Sequence, residues 1–342
     1  MKEINPLDNS QRIVHEEKEL IIPERHTLIR ENRINPMECG ANFEVNTSLG
    51  IKVLTDSEKL ATEVDLVLKN FSANNNTDIE FVYLTKSKIP KADEFEIQPR
   101  AISTGILGDL AVNKDLTQYC LSGPDKFGSL ESVLFGIYAF ERAEKGFLGL
   151  HAAQIYDNKN HVSHLLIGNS GIGKSTISQL FQNKNPERFV VLSDDWVEID
   201  SSQEYVKPIS TTFGSHEGSI TNDLIEENQR VSDKFTSFGK NFYTHDTIKN
   251  PNNRLGSIIL MLEKDYLNQN DGLRQYFLNS SKHIPFIDQI NSKGIVLTVK
   301  IKNRLENILS GFDRLVKNKS FHTVISEKDD MYKNLFNVSK FL

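Results

Sequence analysis

Residues 161–181 read HVSHLLIGNSGIGKSTISQLF, and this stretch decides the fold class. Within it, residues 168–175 (GNSGIGKS) fit the pattern G-x-x-x-x-G-K-[ST], with an apolar run before them and a helix-like run after them. Glycines allow the backbone to fold around an anion, so that successive N–H groups point inward. The helix that follows directs the positive end of its dipole at the same anion. The spacing therefore predicts a phosphate-binding loop between a strand and a helix.

Two side chains at the end of this loop complete the predicted nucleotide site. Lys174 adds a full positive charge for the β- and γ-phosphates, and the hydroxyl of Ser175 is placed to ligate Mg²⁺. Average residue frequencies give such a match by chance in roughly 1% of chains of this length. The alternative, a glycine-rich turn that binds nothing, is therefore disfavoured. We expect a nucleotide to contact Gly168, Asn169, Ser170, Gly171, Ile172, Gly173, Lys174, Ser175 and Thr176.

Two adjacent carboxylates follow the loop at short range. Residues 189–199 (FVVLSDDWVEI) predict a strand that carries Asp194 and Asp195. Beside a phosphate site, one of them can organise Mg²⁺ and the other can accept a proton from a hydroxyl. Neighbouring residues on a strand point to opposite faces, so both can serve one site only if the backbone turns there. The residues leave open which aspartate has which role, and a polar strand end before a turn is the alternative.

His151 is the third candidate, on the strand that precedes the loop strand. A single histidine on a strand is more often structural. Its place in the chain order, before the loop and before Asp194 and Asp195, makes it a candidate for the site.

Residues 147–200 resemble the catalytic core of the HPr kinase/phosphorylase family, which shares its P-loop architecture with phosphoenolpyruvate carboxykinase. The resemblance rests on the sequence around His151, on the loop at 168–175, and on residues 193–199 (SDDWVEI). It departs from the family at Thr176, where HPr kinases carry an acidic residue, and the family's phosphorylase signature is not found. The chain therefore resembles an HPr-kinase-related protein rather than a true HPr kinase.

The resemblance implies roles for individual residues. Asp194 becomes the catalytic base, Asp195 a metal ligand together with Ser175, and His151 a neighbour that tunes the aspartates. Arg254, which precedes the apolar run at 256–262, matches a family arginine that touches phosphate. The implied cofactors are ATP and Mg²⁺.

The fold class predicted from these features is α/β, with two domains. Residues 1–125 are expected to form a small N-terminal α/β domain with an irregular arm, and residues 126–342 a P-loop kinase domain of the phosphoenolpyruvate carboxykinase/HPr kinase type. Periodicity predicts strands over 19–22, 40–54, 79–84, 147–156, 161–167, 188–199, 257–263 and 294–299, and helices over 57–71, 130–144, 304–317 and 328–342. The segment 211–250, which contains Arg230, Lys234 and Lys240, has only weak periodicity, which favours a solvated surface. A substrate-recognition segment or lid is the alternative.

Composition excludes several function classes. The chain has 342 residues, 25% of them charged, with a net charge of −6 and no concentrated basic run. Nucleic acid and anionic lipid normally require a basic stripe, so neither is an expected partner. The polar N-terminus lacks the apolar core of a signal peptide, and no apolar run reaches 18 residues. We expect a cytoplasmic protein, and the sequence leaves a homo-oligomer open.

The resulting functional hypothesis is a kinase that transfers the γ-phosphoryl group of ATP to a hydroxyl, first of all that of a serine in a peptide or protein. Two alternatives remain open. One is a small-molecule kinase for free serine, a sugar or a related alcohol, and the other is a nucleotide-binding switch without a phosphoryl acceptor. The contacts to the acceptor lie in regions without the resemblance, so the sequence does not choose among them.

Overall fold

The structure is a computed structural model that describes most of the chain from Asn35 onward as a mixed α/β architecture. No helix in the described part combines the length and the apolar composition needed to cross a membrane. The described residues are 35–68, 79–86, 96–101, 107–113, 115–200, 202, 204–210, 212–216, 229–232, 236–237, 240–244, 254–263, 273, 276–278, 281, 284–287, 298–326 and 330–342.

The first sheet contains the strands before residue 123, in the order β1-β2-β3-β6-β5-β4. Its strands are β1 (Phe43–Asn46), β2 (Ile51–Thr55), β3 (Ile79–Leu84), β4 (Glu96–Ala101), β5 (Leu107–Val112) and β6 (Gln118–Ser122). β2, β3 and β6 are parallel, and the outer strands pair antiparallel. Helix α1 (Glu58–Leu68) packs on β1 and β2 because its apolar residues recur at helical spacing.

The second sheet carries the predicted phosphate-binding loop. Its strands are β7 (Leu148–Asp157), β8 (Val162–Ile167), β9 (Phe189–Ser193), β10 (Trp196–Ile199), β11 (Val206–Pro208), β15 (Leu255–Glu263) and β16 (Phe321–Ser326). The order is β11-β10-β7-β8-β15-β16, and β9 also pairs with β7. β8, β15 and β16 are parallel, so their carboxyl ends lie at one edge of the sheet. The loop leaves β8 at that edge.

A small third sheet, four further α-helices and a short 3-10 helix at Pro36–Cys39 lie beside the two large sheets in the chain. The sheet has the order β12-β14-β13, with β12 (Thr212–His216), β13 (Thr236–Ser237) and β14 (Lys240–Thr244). The helices are α2 (Phe127–Ala143), α3 (Lys174–Lys184), α4 (Val299–Val316) and α5 (Met331–Ser339). One continuous apolar core includes side chains of both large sheets and of these helices.

Helix α2 is fixed to the second sheet and to α4 by polar groups at its carboxyl end. Nε of Arg142 lies 2.6 Å from a carboxylate oxygen of Glu198 on β10, and the hydroxyl of Tyr138 donates to the same carboxylate at 3.2 Å. On the α4 side, the buried Arg304 donates to Glu141 and Glu144. Buried charges without partners are costly, so these contacts hold α2 in one position.

Most of the predicted elements are confirmed with shifted ends, but the single strands predicted over 40–54 and 188–199 are wrong. The first is a hairpin of β1 and β2, in which Gly50 takes a φ of 76° in the turn. The second is divided into β9 and β10 by the bend at Asp194 and Asp195. The helix predicted over 130–144 begins earlier, at Phe127, and the strand β16 was not predicted at all. Of the strand predicted over 294–299, Val299 instead begins α4, and 291–297 lie outside the described residues, as do 19–22.

The connection between β6 and α2 contains residue 125, where the sequence places its domain boundary. α2 contacts β7 of the second sheet and also α1 of the first. The division into domains at 1–125 and 126–342 stays a prediction.

The contact between α2 and β7 yields a test of the packing. A Cβ atom on Gly149 of β7 would lie 2.6 Å from Cβ of Ala139 on α2. We expect Gly149→Ala to lower the free energy of unfolding by about 1–3 kcal/mol, as overpacking does, in urea titrations. Ala139→Gly should cost about 1 kcal/mol as a helix glycine. Because Ala139→Gly removes the clash, the double variant should be more stable than the sum of the single effects predicts. Additive effects would contradict this packing.

Candidate functional site

The loop between β8 and α3 has the backbone that an anion-binding loop needs. Gly171 and Gly173 take φ values of 82° and 98°, in the left-handed region that favours glycine. A Cβ on Gly171 would meet nothing within 4 Å, so the backbone there borders open space. A Cβ on Gly168 would instead lie 2.9 Å from Ile172 and 3.1 Å from the carbonyl oxygen of Met261. The loop is therefore tight at its start and open at its centre.

Neighbouring elements hold the loop through polar contacts that the sequence did not indicate. The hydroxyl of Tyr276 accepts a hydrogen bond from the Asn169 N–H and donates one to the carbonyl oxygen of Met261, both at 2.7 Å. The hydroxyl of Ser326, at the end of β16, donates to the carbonyl oxygen of Ile172 at 3.2 Å. Of the other predicted loop residues, Ser170 is exposed, and Thr176 is half-buried in the first turn of α3.

Lys174 begins α3 and folds back over the loop. Its Nζ donates to the carbonyl oxygens of Gly168 and Asn169, at 2.8 and 3.0 Å. Burial lowers the pKa of Lys174 to about 8, although the charges of Asp195 and Asp194 favour the ammonium form. The lysine is therefore a buried cation held between the loop and the two aspartates.

The two aspartates lie at a bend between β9 and β10, which is the condition under which both can serve one site. The backbone N–H of Ala152 on β7 donates to the carbonyl oxygen of Asp195 at 3.1 Å. The Ser193 hydroxyl donates to the carbonyl oxygen of Trp196 at 2.7 Å and closes the bend. Both carboxylates interact electrostatically with Lys174, so the bend brings them to the same side.

Asp194 is the buried member of the pair. Its side chain receives a hydrogen bond from Ser175, whereas its Oδ1 has no hydrogen-bond partner among the described residues. Asp194 is only 1% exposed. Burial, followed by the charge of Asp195, raises the pKa of Asp194 to about 7. A buried carboxylate oxygen without a partner is suited to a cation.

Asp195 is more open and faces His151. The side chain of Asp195 is 32% exposed, and its Oδ1 lies 3.4 Å from Nε2 of His151. Burial raises the pKa of Asp195, but the hydrogen bond and charge of His151, with Lys240 and Lys174, outweigh it and lower that pKa to about 2. Burial, then Lys174, lowers the pKa of His151, whose Nε2 is a possible donor to Asp195.

The donor atoms at Asp194 and Ser175 fit Mg²⁺, which prefers oxygen ligands and keeps several waters and phosphate oxygens in its shell. The described residues contain no group of three His, Cys, Asp or Glu that would hold a metal by itself. A P-loop site needs only the hydroxyl and one carboxylate beside the phosphates. The geometry thus favours the reverse of the predicted roles. Asp194, not Asp195, lies against Ser175, whereas Asp195 faces His151.

Arg254 is not brought to the phosphate-binding loop, and its predicted contact with phosphate stays a prediction. Its carbonyl oxygen accepts from the Ser163 N–H at 2.8 Å, near the start of β8. Gly168 lies five residues farther along β8, about 16 Å away at about 3.3 Å per residue. An arginine side chain does not span that distance, so Arg254 belongs to the opposite edge of the sheet.

Two charged residues that the sequence did not assign to the site lie close to it. Lys240 interacts electrostatically with Asp194, Asp195 and Lys174. Glu131 on α2 interacts with Asp195 and Lys240. The sequence indicated only a substrate-recognition segment or lid, as the alternative for the segment of Lys240, and nothing for Glu131, because each reaches the site through tertiary packing.

The chain was also compared with known proteins. It matches no model of a known protein family and shows no significant similarity to any curated protein. The assignment of a function therefore depends on the residues and geometry of the site.

The unequal environments of the two aspartates predict opposite effects on stability. At pH 7.5 without nucleotide or metal, ionised Asp194 costs stability because its pKa is raised in the folded state, whereas ionised Asp195 contributes stability because its pKa is lowered. We expect Asp194→Asn to raise the melting temperature by at least about 2 °C and Asp195→Asn to lower it, measured by circular dichroism in EDTA.

Repeating the melts at pH 5.5 is the control. Wild-type Asp194 is then protonated, because that pH lies below its pKa of about 7, and the gain from Asp194→Asn should shrink. The loss from Asp195→Asn should persist, since its window lies between about pH 2 and 4. Shifts of the same sign in both variants at pH 7.5 would contradict the described electrostatics.

Proposed function

We propose that this protein is a P-loop phosphotransferase, with a kinase domain of the phosphoenolpyruvate carboxykinase/HPr kinase type, that moves the γ-phosphoryl group of ATP to a hydroxyl. One observation carries the proposal. A glycine loop with a buried lysine, Lys174, stands at the same sheet edge as two aspartates in different environments. A nucleotide-binding switch needs the loop and a metal ligand, but it does not need a second ionised carboxylate held by a histidine.

The nucleotide side of the site uses the loop and α3. The open backbone at Gly171 and the amino end of α3 would receive the β- and γ-phosphates of ATP. Lys174 would exchange its bonds to the loop carbonyls for bonds to phosphate oxygens, which are charge-assisted and stronger.

Ser175 and Asp194 would hold Mg²⁺. The bound ion neutralises charge on the β- and γ-phosphate oxygens. Asp194 suits this role because its unpartnered oxygen gains a cation, which favours its ionised form.

Asp195 would face the acceptor. The acceptor oxygen attacks the γ-phosphorus, the bond between this phosphorus and the β–γ bridging oxygen breaks, and ADP leaves with the bond electrons. The hydroxyl proton passes to Asp195. Phosphoryl transfer has a loose transition state, so a carboxylate that is a weak base but ionised at pH 7 suffices to orient the hydroxyl. His151 positions Asp195 by donating a hydrogen bond from Nε2.

The first acceptor to test is a serine hydroxyl in a peptide or protein, because the resemblance of residues 147–200 is to a protein-serine kinase family. Transfer from γ-³²P-labelled ATP should be measured with Mg²⁺ on serine peptides, on free serine and on sugars. Wild-type protein that binds no ATP would overturn the proposal. Binding without transfer to any of these acceptors would favour the nucleotide-binding switch.

Lys174→Ala is expected to weaken Mg·ATP binding about 10- to 100-fold, because charge-assisted hydrogen bonds contribute about 1.5–3 kcal/mol. Isothermal titration calorimetry provides the measurement. Lys184→Ala, at the exposed end of the same helix, is the matched control and should bind like wild type. Equal affinities of wild type and Lys174→Ala would exclude the loop as the phosphate site.

The two aspartates should separate binding from transfer. Asp194→Asn should weaken ATP binding when Mg²⁺ is present and have little effect in EDTA, and Ser175→Ala should do the same, because both residues would ligate the ion. Asp195→Asn should bind Mg·ATP nearly normally while the transfer rate falls about 100-fold or more. If Asp195→Asn loses Mg²⁺-dependent binding and Asp194→Asn keeps it, the roles are those that the sequence predicted.

A further inference from the structure

Lys240 lies on the third sheet, where its side chain occupies the space beside Gly214 of the neighbouring strand. It is the first residue of β14 and pairs with Ser237 and His216. A Cβ on Gly214, in the neighbouring strand β12, would lie 2.9 Å from Cδ of Lys240 and 3.6 Å from the ring of Phe242. Lys240 and Phe242 therefore share one face of β14, as residues two apart on a strand do.

That face of β14 is turned toward helix α2. The ring of Phe242 packs edge-on against Phe127 at a centroid distance of 5.8 Å. Two turns along α2, Phe135 stacks on Trp196 at 5.0 Å, and Trp196 directly follows Asp195 in the chain. Residues four apart on a helix share a face, so Glu131 lies between Phe127 and Phe135. β14 and the aspartate bend therefore both pack against α2, about two helical turns apart.

The charges around Lys240 belong to four elements of the structure. It interacts with Glu131 of α2, His151 of β7, Lys174 of α3 and both aspartates at the bend. Within the described residues, no carboxylate oxygen lies within 4 Å of its Nζ. Burial, followed by the charge of Asp195, raises the pKa of Glu131 to about 8.

We propose that Lys240 is a second catalytic cation, which contacts the γ-phosphoryl group of ATP from outside the glycine loop. The inference depends on the proposed function, because it concerns the same nucleotide. Lys240 would do what the family resemblance suggested for Arg254, which lies at the other edge of the sheet. During transfer, negative charge is spread over the equatorial oxygens of the phosphoryl group, and a cation that touches them lowers the barrier.

A contact to the γ-phosphate alone has a clear consequence for binding. ATP analogues have this group and ADP lacks it. The loss of Lys240 should therefore lower the affinity for the triphosphate and leave the affinity for ADP unchanged. Isothermal titration calorimetry with Mg²⁺ and either ADP or a non-hydrolysable ATP analogue measures the ratio of the two affinities. Neither titration requires the acceptor.

For Lys240→Met we expect the affinity for the ATP analogue to fall about tenfold or more, as for a lost charge-assisted contact, and the affinity for ADP to stay within about twofold. Lys207→Met is the matched control, because Lys207 is also a half-buried strand lysine near a carboxylate, that of Glu198, outside the site. This control should leave both affinities unchanged. If Lys240→Met leaves the ratio of the two affinities unchanged, or lowers both affinities equally, the inference is overturned.

Gly214→Ala tests the same contact without removing the lysine. The added methyl group must displace the flexible side chain of Lys240. This variant should therefore also lower the affinity for the ATP analogue more than the affinity for ADP. Wild-type protein that binds neither nucleotide would overturn the proposed function itself. Wild-type binding of both, with an unaltered ratio in Lys240→Met and Gly214→Ala, would overturn only the role of Lys240.

Discussion

Two carboxylates on adjacent residues cannot both be buried at low cost, and the candidate site depends on how this repulsion is managed. The bend between β9 and β10 places Asp194 and Asp195 on the same side, where each raises the energy of the other. Lys174 offsets part of the repulsion for both. The remaining repulsion does not affect the two aspartates equally. His151 stabilises Asp195, whereas one oxygen of Asp194 has no hydrogen-bond partner among the described residues. Asp194 is therefore the carboxylate on which most of the cost of burial falls.

Helix α2 connects this site to the rest of the molecule. At its carboxyl end, buried ion pairs with Glu198 on β10 and Arg304 on α4 fix its position. Along its length, Gly149 allows it to approach β7 closely, two residues before His151. At its amino end, Phe127 packs against Phe242 of β14, the strand that begins with Lys240. One helix thus sets the position of both the histidine strand and the second lysine, so a shift of α2 would move both.

Features within about 50 residues of the loop could be predicted from the sequence, because they follow from local spacing. The strand, loop and helix around Gly168–Ser175 and the turn at Asp194 and Asp195 are of this kind. The roles of the aspartates could not be predicted, since they depend on which carboxylate the bend turns toward Ser175. Arg254 shows the same limit, because a position before a core strand does not specify the edge of the sheet.

For residues far from the loop in sequence, the neighbouring sequence does not predict that they lie at the site. Tyr276 supports the loop through a hydroxyl that bonds both Asn169 and Met261, and no pattern in its own neighbourhood predicts this. Lys240 lies in a segment whose weak periodicity favours a solvated surface. Its proximity to the aspartates is produced by aromatic packing of β14 on α2, which sequence spacing does not reveal.

The protonation of Glu131 decides how much charge the site offers to a nucleotide. If Glu131 were ionised, three carboxylates would face Lys174 and Lys240, and the site would repel a triphosphate. Burial instead raises its pKa to about 8, so that Asp194 and Asp195 are the main carboxylates that Lys174 and Lys240 face at pH 7. A metal at Asp194 would then remove one of these carboxylates from the balance. In the proposed function, the net charge facing the phosphates would become positive only at that step, which would couple metal binding to nucleotide binding through charge.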